Sequence, residues 1–337
     1  MLHILHIGIS KKERVFKMKE LSKPRVVVIG GGTGMPVLLR GLKNYPIQLT
    51  ALVNVSDDGG STGKIRSKME MPAPGDIRNV IAAMSDAEPM LLELFQHRFS
   101  VENGLSGHSL GNLLLAAMTS ITGDFYTGIK EISQVLNVKG DIYPISNESL
   151  SLHAKMEDGT IVSGESSIPL ARKNIQYVYL SPQPIRPLPH AISALHQADL
   201  IVISPGSLYT SILPNLIIPE IANVLKQTTA KVVYVCNVMT QAGETNGYTA
   251  SDHVQAIIDH VGNDVINSIV VHNDTIDKKI RQLYAEENAK PVVYDIEQLL
   301  DLGLEIIEGD IIDHSQSMLR HDTEKIAQLL FSMLKQA

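Results

Sequence analysis

The sequence predicts an α/β fold: a doubly wound, mostly parallel, Rossmann-like sheet carrying a small β-hairpin lobe. Three observations predict it. Short β-branched runs alternate with longer amphipathic stretches, the mark of βαβ units. Several of those runs are apolar throughout, as strands covered on both faces must be. Glycine-rich polar clusters follow the runs directly, at the carboxyl ends where open α/β sheets gather ligands.

In chain order, residues 25–29 (RVVVI) read as the first strand, a helix follows over about 36–42, and residues 49–55 (LTALVNV) read as the second strand. Residues 76–99 and 109–121 each predict a covering helix. Leu91, Leu92, Leu94 and Phe95 in the first, and Leu110, Leu113, Leu114 and Met118 in the second, recur at helical spacing. Between 141 and 180 the pattern changes. Residues 149–155 alternate, Asp158-Gly159 supplies a two-residue turn, and 160–163 return, which predicts the hairpin lobe. A strand resumes over 175–180, and prolines at 182, 184, 187 and 189 impose an extended link into a short helix near 190–196. Residues 200–203, 232–235, 269–271 and 292–294 are apolar runs of strand length, and 322–334 close the chain as an amphipathic helix. The expected organisation is an N-terminal extension over 1–23 and a single α/β domain over 24–337, with the lobe inserted at about 141–180. Within the extension, the apolar piece precedes Lys11, Lys12 and Arg14, the reverse of a secretory signal, and Met18 opens a more natural strand-first domain.

Composition narrows the function. A formal charge of −7 without a basic stripe argues against nucleic acid as a partner, because nonspecific duplex affinity comes from neutralised phosphates. The single cysteine, Cys236, leaves no internal disulfide and no thiolate metal cage, which fits a cytoplasmic location. No stretch reaches the roughly 18 apolar residues of a membrane span. The apolar segment 213–221 reads either as core or as a contact in a homo-oligomer.

Six clusters carry the chemistry. Gly30-Gly31-Gly32-Thr33-Gly34 follows the first strand and opens a helix, where backbone amides and the helix dipole favour a phosphate. It departs from the dinucleotide fingerprint, since Met35 stands where the last glycine belongs. Residues 54–64 (NVSDDGGSTGK) follow the second strand with Asn54, Asp57 and Asp58. These carboxylates can accept from ribose or base, hold a divalent cation such as Mg²⁺, or position a nucleophile. The P-loop frame fails there because Ile65 follows Lys64, which excludes a Walker-type NTPase. In residues 74–79 (PGDIRN), Asp76 is a helix cap or a ligand contact, and Arg78 a bidentate phosphate clamp. Residues 107–112 (GHSLGN) offer His108 and Asn112, the histidine as a base or as a cap. Residues 204–211 offer Gly206, Ser207 and Thr210, and 237–245 offer Asn237 and Thr240. His272-Asn273-Asp274 is a weaker, seventh candidate at the rim. The joint expectation is geometric: Gly32, Asp58, Ser207 and Asn237 must meet at one rim and wrap an anion.

GGGTG at 30–34, NVSDDGGSTG at 54–63, PGDIRN at 74–79, GHSLGNLLLAA at 107–117, SPGSLYTSILPNL at 204–216 and NVMTQAGET at 237–245 together resemble the CofD/YvcK family, over about residues 24–334. The wording SDDGGSTG and the hairpin lobe look like its YvcK-type, gluconeogenesis-factor branch. That resemblance implies a regulator that binds a UDP-sugar, notably UDP-N-acetylglucosamine, supports cell shape and wall synthesis on gluconeogenic carbon sources, and acts through protein partners the sequence does not identify. On this reading Gly31, Gly32, Thr33, Gly34, Ser207 and Thr210 hold the diphosphate, and Asn54, Asp58 or Asn237 read sugar or base. The transferase branch implies an alternative, a 2-phospho-L-lactate transferase-like enzyme in which Asp57 or Asp58 and Mg²⁺ orient an acceptor hydroxyl. An NAD(P)-dependent oxidoreductase is disfavoured by the broken fingerprint, although NAD or another nucleotide diphosphate suits the same cradle.

Overall fold

The computed structural model describes residues 23–100, 104–273, 276, 281, 284–286, 288–313 and 321–335. The expected extension, but for Lys23, and Asp274 lie outside the described residues. Strands β1 (Arg25–Gly30), β2 (Gln48–Val53) and β3 (Asp141–Pro144) form one half of the main sheet. Strands β4 (Ser151–Met156), β5 (Ile161–Ser163) and β6 (Ile175–Ser181) form a separate three-stranded sheet, and β7 (Leu200–Ile203), β8 (Lys231–Val235), β9 (Ser268–His272) and β10 (Glu305–Gly309) complete the main one. The main sheet runs β10-β9-β8-β7-β1-β2-β3, and every neighbouring pair is parallel.

This order follows from covering both faces. Val26–Ile29 of β1 and all of β7 are buried, so their apolar runs have no exposed side to alternate with. Each such Val, Ile or Leu contributes roughly 1.5–3 kcal/mol on leaving water. The chain winds outward from β1 through β2 to β3, makes the lobe, and returns on the other side of β1 as β7. Connections from β1 and β7 therefore diverge, which opens a crevice between their carboxyl ends.

The structure differs from the sequence reading in several places, and the helices Gly60–Met69, Pro219–Gln227 and Ala250–Val261 add to the elements read there. The helix expected over 76–99 is two, Pro74–Met84 and Pro89–Gln96, because Ser85 leaves the helical region and Pro89 can only start a new turn. A helix Phe125–Val135, capped by the Asp124 side chain, was not anticipated. Strand β3, counted with the lobe, belongs to the main sheet beside β2, so the lobe sheet begins at Ser151. Residues 292–294 do not form a strand. Val293 is 63% exposed, and the edge position beside β9 is taken by the half-exposed β10, whose polar flanks hid it from a search for apolar runs.

In the lobe, Leu152, Ala154 and Met156 of β4 point inward, and His153 lies on the other face between the hydroxyls of Ser163 (2.8 Å) and Ser181 (2.7 Å). The backbone N–H of Val178 donates to His260 Nε2 at 3.0 Å, tying β6 to the helix Ala250–Val261. Segment 213–221 is core rather than contact surface, since Leu213, Leu216, Ile218 and Ile221 are fully buried. No single described helix is long and apolar enough to cross a membrane; the one bent pair of sufficient length, Leu208–Leu216 with Pro219–Gln227, holds that buried core.

A buried carboxylate shapes the turn after β7. Glu244 accepts from the Tyr209 N–H (3.1 Å), the Thr210 hydroxyl (3.0 Å) and Gln241 Nε2 (2.9 Å), fixing the π-helical turn Leu208–Ile212. Burial raises its carboxyl to about 7, against the pull of those donors. An unfolded glutamate titrates near 4.3, so the stability linked to Glu244 is whole below about pH 4 and is lost as the pH rises through 7. Glu244→Gln is expected to flatten that decline. Thermal unfolding of both proteins across about pH 5 to 8 checks it; parallel Tm–pH curves would remove Glu244 from this role.

Candidate functional site

The loops after β1 and β7 meet at backbone distance. A Cβ on Gly34 would lie 2.3 Å from the Pro205 carbonyl oxygen, so only glycine lets the helix Gly34–Leu42 start there. Thr33 stands at its N-cap without making a side-chain capping bond, and the helix dipole adds partial positive charge at that end. Between these loops and the one after β8 lies a cavity of about 470 Å³, lined by Thr33, Gly34, Gly206, Ser207, Asn237 and Thr240. Asn237 clamps the Gly206 peptide from both sides, accepting its N–H at 3.0 Å and donating to its carbonyl at 2.6 Å. Thr240 is held in turn by Lys290, whose N–H donates to its hydroxyl at 2.9 Å.

Two expected contacts stand behind this surface. Asn54 is buried, accepts from the N–H and hydroxyl of Ser56, and donates to the Thr210 carbonyl at 3.3 Å. Thr210 is buried with its hydroxyl on Glu244. They brace the loops from within. At the far wall His321, held neutral by burial at a pKa of about 4, donates to the Cys236 carbonyl at 3.3 Å. The Cys236 thiol is buried and pushed up to about 12, hence unreactive.

Gly31 and the Gly32 N–H face the other way, toward Asp76. The Gly32 N–H donates to Asp76 Oδ2 at 2.8 Å, which ties the helix Pro74–Met84 to the glycine loop. Asp57 and Asp58 lie beside it. Asp57 Oδ1 accepts from Gly59 N–H at 2.8 Å, and Asp58 Oδ1 from Ser166 N–H at 2.9 Å. Ser166 belongs to the lobe, and its neighbour Glu165 brings a third carboxylate, so that ligand oxygens of Asp57, Asp58 and Glu165 lie within 4.8 Å of one another. Burial, then the charge of Asp57, pushes Glu165 up to about 10; burial and the same charge push Asp76 up to about 7. Arg66 spans lobe and loop, donating to the carbonyls of Ser56 (3.1 Å), Asp57 (3.3 Å) and Leu150, and to the Ser151 hydroxyl (2.9 Å).

A third group sits at the start of the helix Leu110–Thr122. Ser61 Oγ receives Asn112 Nδ2 (3.2 Å) and Ser109 N–H (3.4 Å), so its own proton goes to His108 Nδ1 at 3.1 Å. His108 is lowered by burial and by the nearby charges of Lys64, Lys68 and Arg98. Arg78 donates to Asn79 Oδ1 at 2.8 Å.

The rim thus gathers Thr33, Gly34, Gly206, Ser207, Asn237 and Thr240 around one cavity, and Gly32, Asp57, Asp58 and Asp76 around a neighbouring acidic hollow. Glu165 and Arg66 were missed by sequence reasoning: neither lies in a glycine-rich cluster after a strand, and only the packing of the lobe brings Glu165 to the site. His272 closes β9 in a separate cavity of about 260 Å³ with Cys236 and Arg281, its Nδ1 3.9 Å from Asp310.

The family model of 2-phospho-L-lactate transferase CofD matches residues 26–312. A gluconeogenesis factor of Halalkalibacterium halodurans is 55% identical over 310 residues, 92% of this chain and 96% of that protein. One of Bacillus subtilis is 54% identical over 314 residues, 93% of this chain and 99% of that protein. A crystal structure from Bacillus halodurans superposes with a TM-score of 0.90 at 55% identity, covering 92% of this chain and all of that one. A second, of a member of the UPF0052 family from the same organism, gives 0.89 at 54% identity, with 92% of this chain and 99% of that one covered. At such identity and coverage the chain belongs to the CofD family and, within it, to the branch of the gluconeogenesis factors.

Proposed function

We propose that the protein is a cytoplasmic regulator that binds a nucleotide sugar of the UDP-N-acetylglucosamine kind in the crevice between β1 and β7. The observation that carries this reading is the cavity itself. Its 470 Å³ falls in the range of small-molecule sites, and it opens between a helix N-terminus and a second loop rich in glycine and hydroxyls, at the switch point of a parallel sheet. Thr33 and the amides opening the helix Gly34–Leu42, with Gly206 and Ser207 opposite, suit a diphosphate. Asn237 and Thr240 hold the far wall where a base or sugar would rest. Asn54 and Thr210 position these loops from behind. NAD offers the same diphosphate to the same cradle. The family resemblance supports the cellular role, in cell shape and wall synthesis on gluconeogenic carbon.

A second reading, a phosphoryl-type transferase, is favoured by one specific observation, the cluster of Asp57, Asp58 and Glu165. Burial first, and then the repulsion among three carboxylates so close, make Glu165 take up a proton so readily. An all-oxygen donor set of this kind fits a hard divalent cation such as Mg²⁺. Asp57, Asp58 and Glu165 would hold it, and it would supply neutralisation of charge developing on a phosphoryl oxygen. Asp76, hydrogen-bonded to the Gly32 N–H, couples that hollow to the glycine loop.

Calorimetry of the full chain with UDP-N-acetylglucosamine is expected to show one saturable site, weakened roughly tenfold by Ser207→Ala or Thr33→Val, because each removes a hydrogen bond to a charged group. Absence of binding to the purified wild type would sink the nucleotide-sugar reading. For the cation, Mn²⁺ paramagnetic resonance is expected to detect one bound ion in the wild type and about a tenfold or greater loss in Glu165→Gln and Asp58→Asn. Equal Mn²⁺ binding in all three proteins removes the carboxylate site. Failure to form any Mg²⁺-dependent product from nucleotide-activated donors and a deazaflavin acceptor removes the transferase reading.

A further inference from the structure

Cationic side chains gather beside the acidic hollow, over β2, and nothing in the nucleotide reading uses them. Residues 97–99 pair with the loop that ends at Ser109: Phe99 N–H donates to the His108 carbonyl (3.0 Å), Leu110 N–H to the His97 carbonyl (2.8 Å), and Arg98 bridges to Ser109. That pairing sets Arg98 next to His108, with Nη1 on the Gly107 carbonyl at 2.6 Å. From the helix Gly60–Met69, Lys64 Nζ reaches the Ser106 carbonyl at 3.4 Å. From the helix Pro74–Met84, the stem of Arg78 crosses Gly111, where a Cβ would come within 2.8 Å of Arg78 Cγ, and the guanidinium emerges by the N-terminus of Leu110–Thr122.

Lys64 and Arg98 therefore flank His108, and Arg78 lies beside Arg98 at the start of the same helix. Among the described residues none of the three has a carboxylate within ion-pair distance, in a chain whose net charge is −7. Like charges brought together cost free energy that an anionic partner offsets, and Asp76 and Asp57 act on Arg78 without reaching ion-pair distance. Arg78 supplies an independent pointer. Its Nε–H is buried and has no acceptor, and buried donors in folded proteins are almost always matched. The 13-residue helix Leu110–Thr122 adds the positive end of its dipole.

We propose that Lys64, Arg78, Arg98 and His108 form a second anion subsite, for a phosphoryl group, lying over β2 and apart from the cavity between β1 and β7. Two guanidinium forks and an ammonium suit a phosphoryl dianion, which offers several acceptor oxygens at once. The carboxylates of Asp57 and Asp58 stand close by, so the subsite binds best when a divalent cation shields them.

Histidine-selective NMR of the full chain tests this, with inorganic phosphate as the probe, Mg²⁺ present and ionic strength held constant with chloride. The expected result is a saturable shift of the His108 resonance, assigned with His108→Gln, and a weakening of about tenfold in each of Lys64→Gln and Arg98→Gln. Neither substitution is expected to alter binding of UDP-N-acetylglucosamine. No saturable shift, or an undiminished one in the Lys64→Gln/Arg98→Gln double variant, overturns the subsite. Displacement of phosphate by UDP-N-acetylglucosamine would merge the two sites into one and overturn its separateness. The phosphate titration uses no nucleotide, so it stands whether or not the cavity binds one.

Discussion

Contact between the backbones of two loops is the constraint on which the site depends. A Cβ on Gly34 would press on the Pro205 carbonyl at 2.3 Å, and one on Gly30 would lie 2.0 Å from Ser204 Oγ. Such proximity is possible because β1 and β7 pair in parallel, Val26 against Leu200 through Ile29 against Ile203, and so end at the same height. Diverging connections then leave the space between them open. Asn237 and Glu244 keep that space shaped: one clamps the Gly206 peptide, the other holds the turn that follows. The polar groups nearest the cavity are thus locked in place by the protein's own hydrogen bonds.

Electrostatics divides the rim. Around the cavity, partial charges of amides and a helix terminus dominate. Over β2, ionisable side chains do, with Asp57, Asp58, Asp76 and a Glu165 that burial keeps protonated on one side and Lys64, Arg78 and Arg98 on the other. The opposite signs do not form close ion pairs. Asp76 takes a backbone N–H, and Arg78 takes an amide oxygen. Charges held near one another but not neutralised are poised for outside partners, a cation for the carboxylates and an anion for the basic groups. Arg66 differs from the others. It spends its donors on backbone carbonyls and lobe hydroxyls, so its part is to hold the Asp57 loop against the lobe.

Local chemistry in the sequence was enough to place the strands flanking the crevice and the loops that end on it. A glycine run after a buried apolar run marks a tight turn at a strand end, so the turns at Gly31–Gly34 and Gly206 were legible, although the Gly32 N–H turns to Asp76 and not to the cavity. Glu165 was not, because a glutamate in a hairpin loop looks like any solvated charge until packing of the lobe sets it against Asp57. Asn54 and Thr210 carried the opposite ambiguity. Their types suit a ligand, yet both are buried, and only three-dimensional hydrogen bonding distinguishes a brace from a contact. Edge strand β10 escaped because its residues are exposed or only half-buried, whereas 292–294 looked like a strand and make only isolated backbone bonds, to Val238 and Ala250.

The lobe completes the acidic hollow. The main sheet supplies the glycine turn after β1 and the Asp57-Asp58 pair after β2, and leaves the hollow open on the lobe side. Residues 164–171 close it, placing the Ser166 N–H on Asp58 and Glu165 against Asp57, while the Pro169 carbonyl packs so tightly on Gly243 that a Cβ there would come within 2.1 Å. One short segment therefore touches both the carboxylates and the 241–245 loop whose Gln241 lines the cavity. Glu165 joins this segment to Asp57, and Gly243 joins it to the loop that walls the cavity, so one short turn of the lobe braces both parts of the rim.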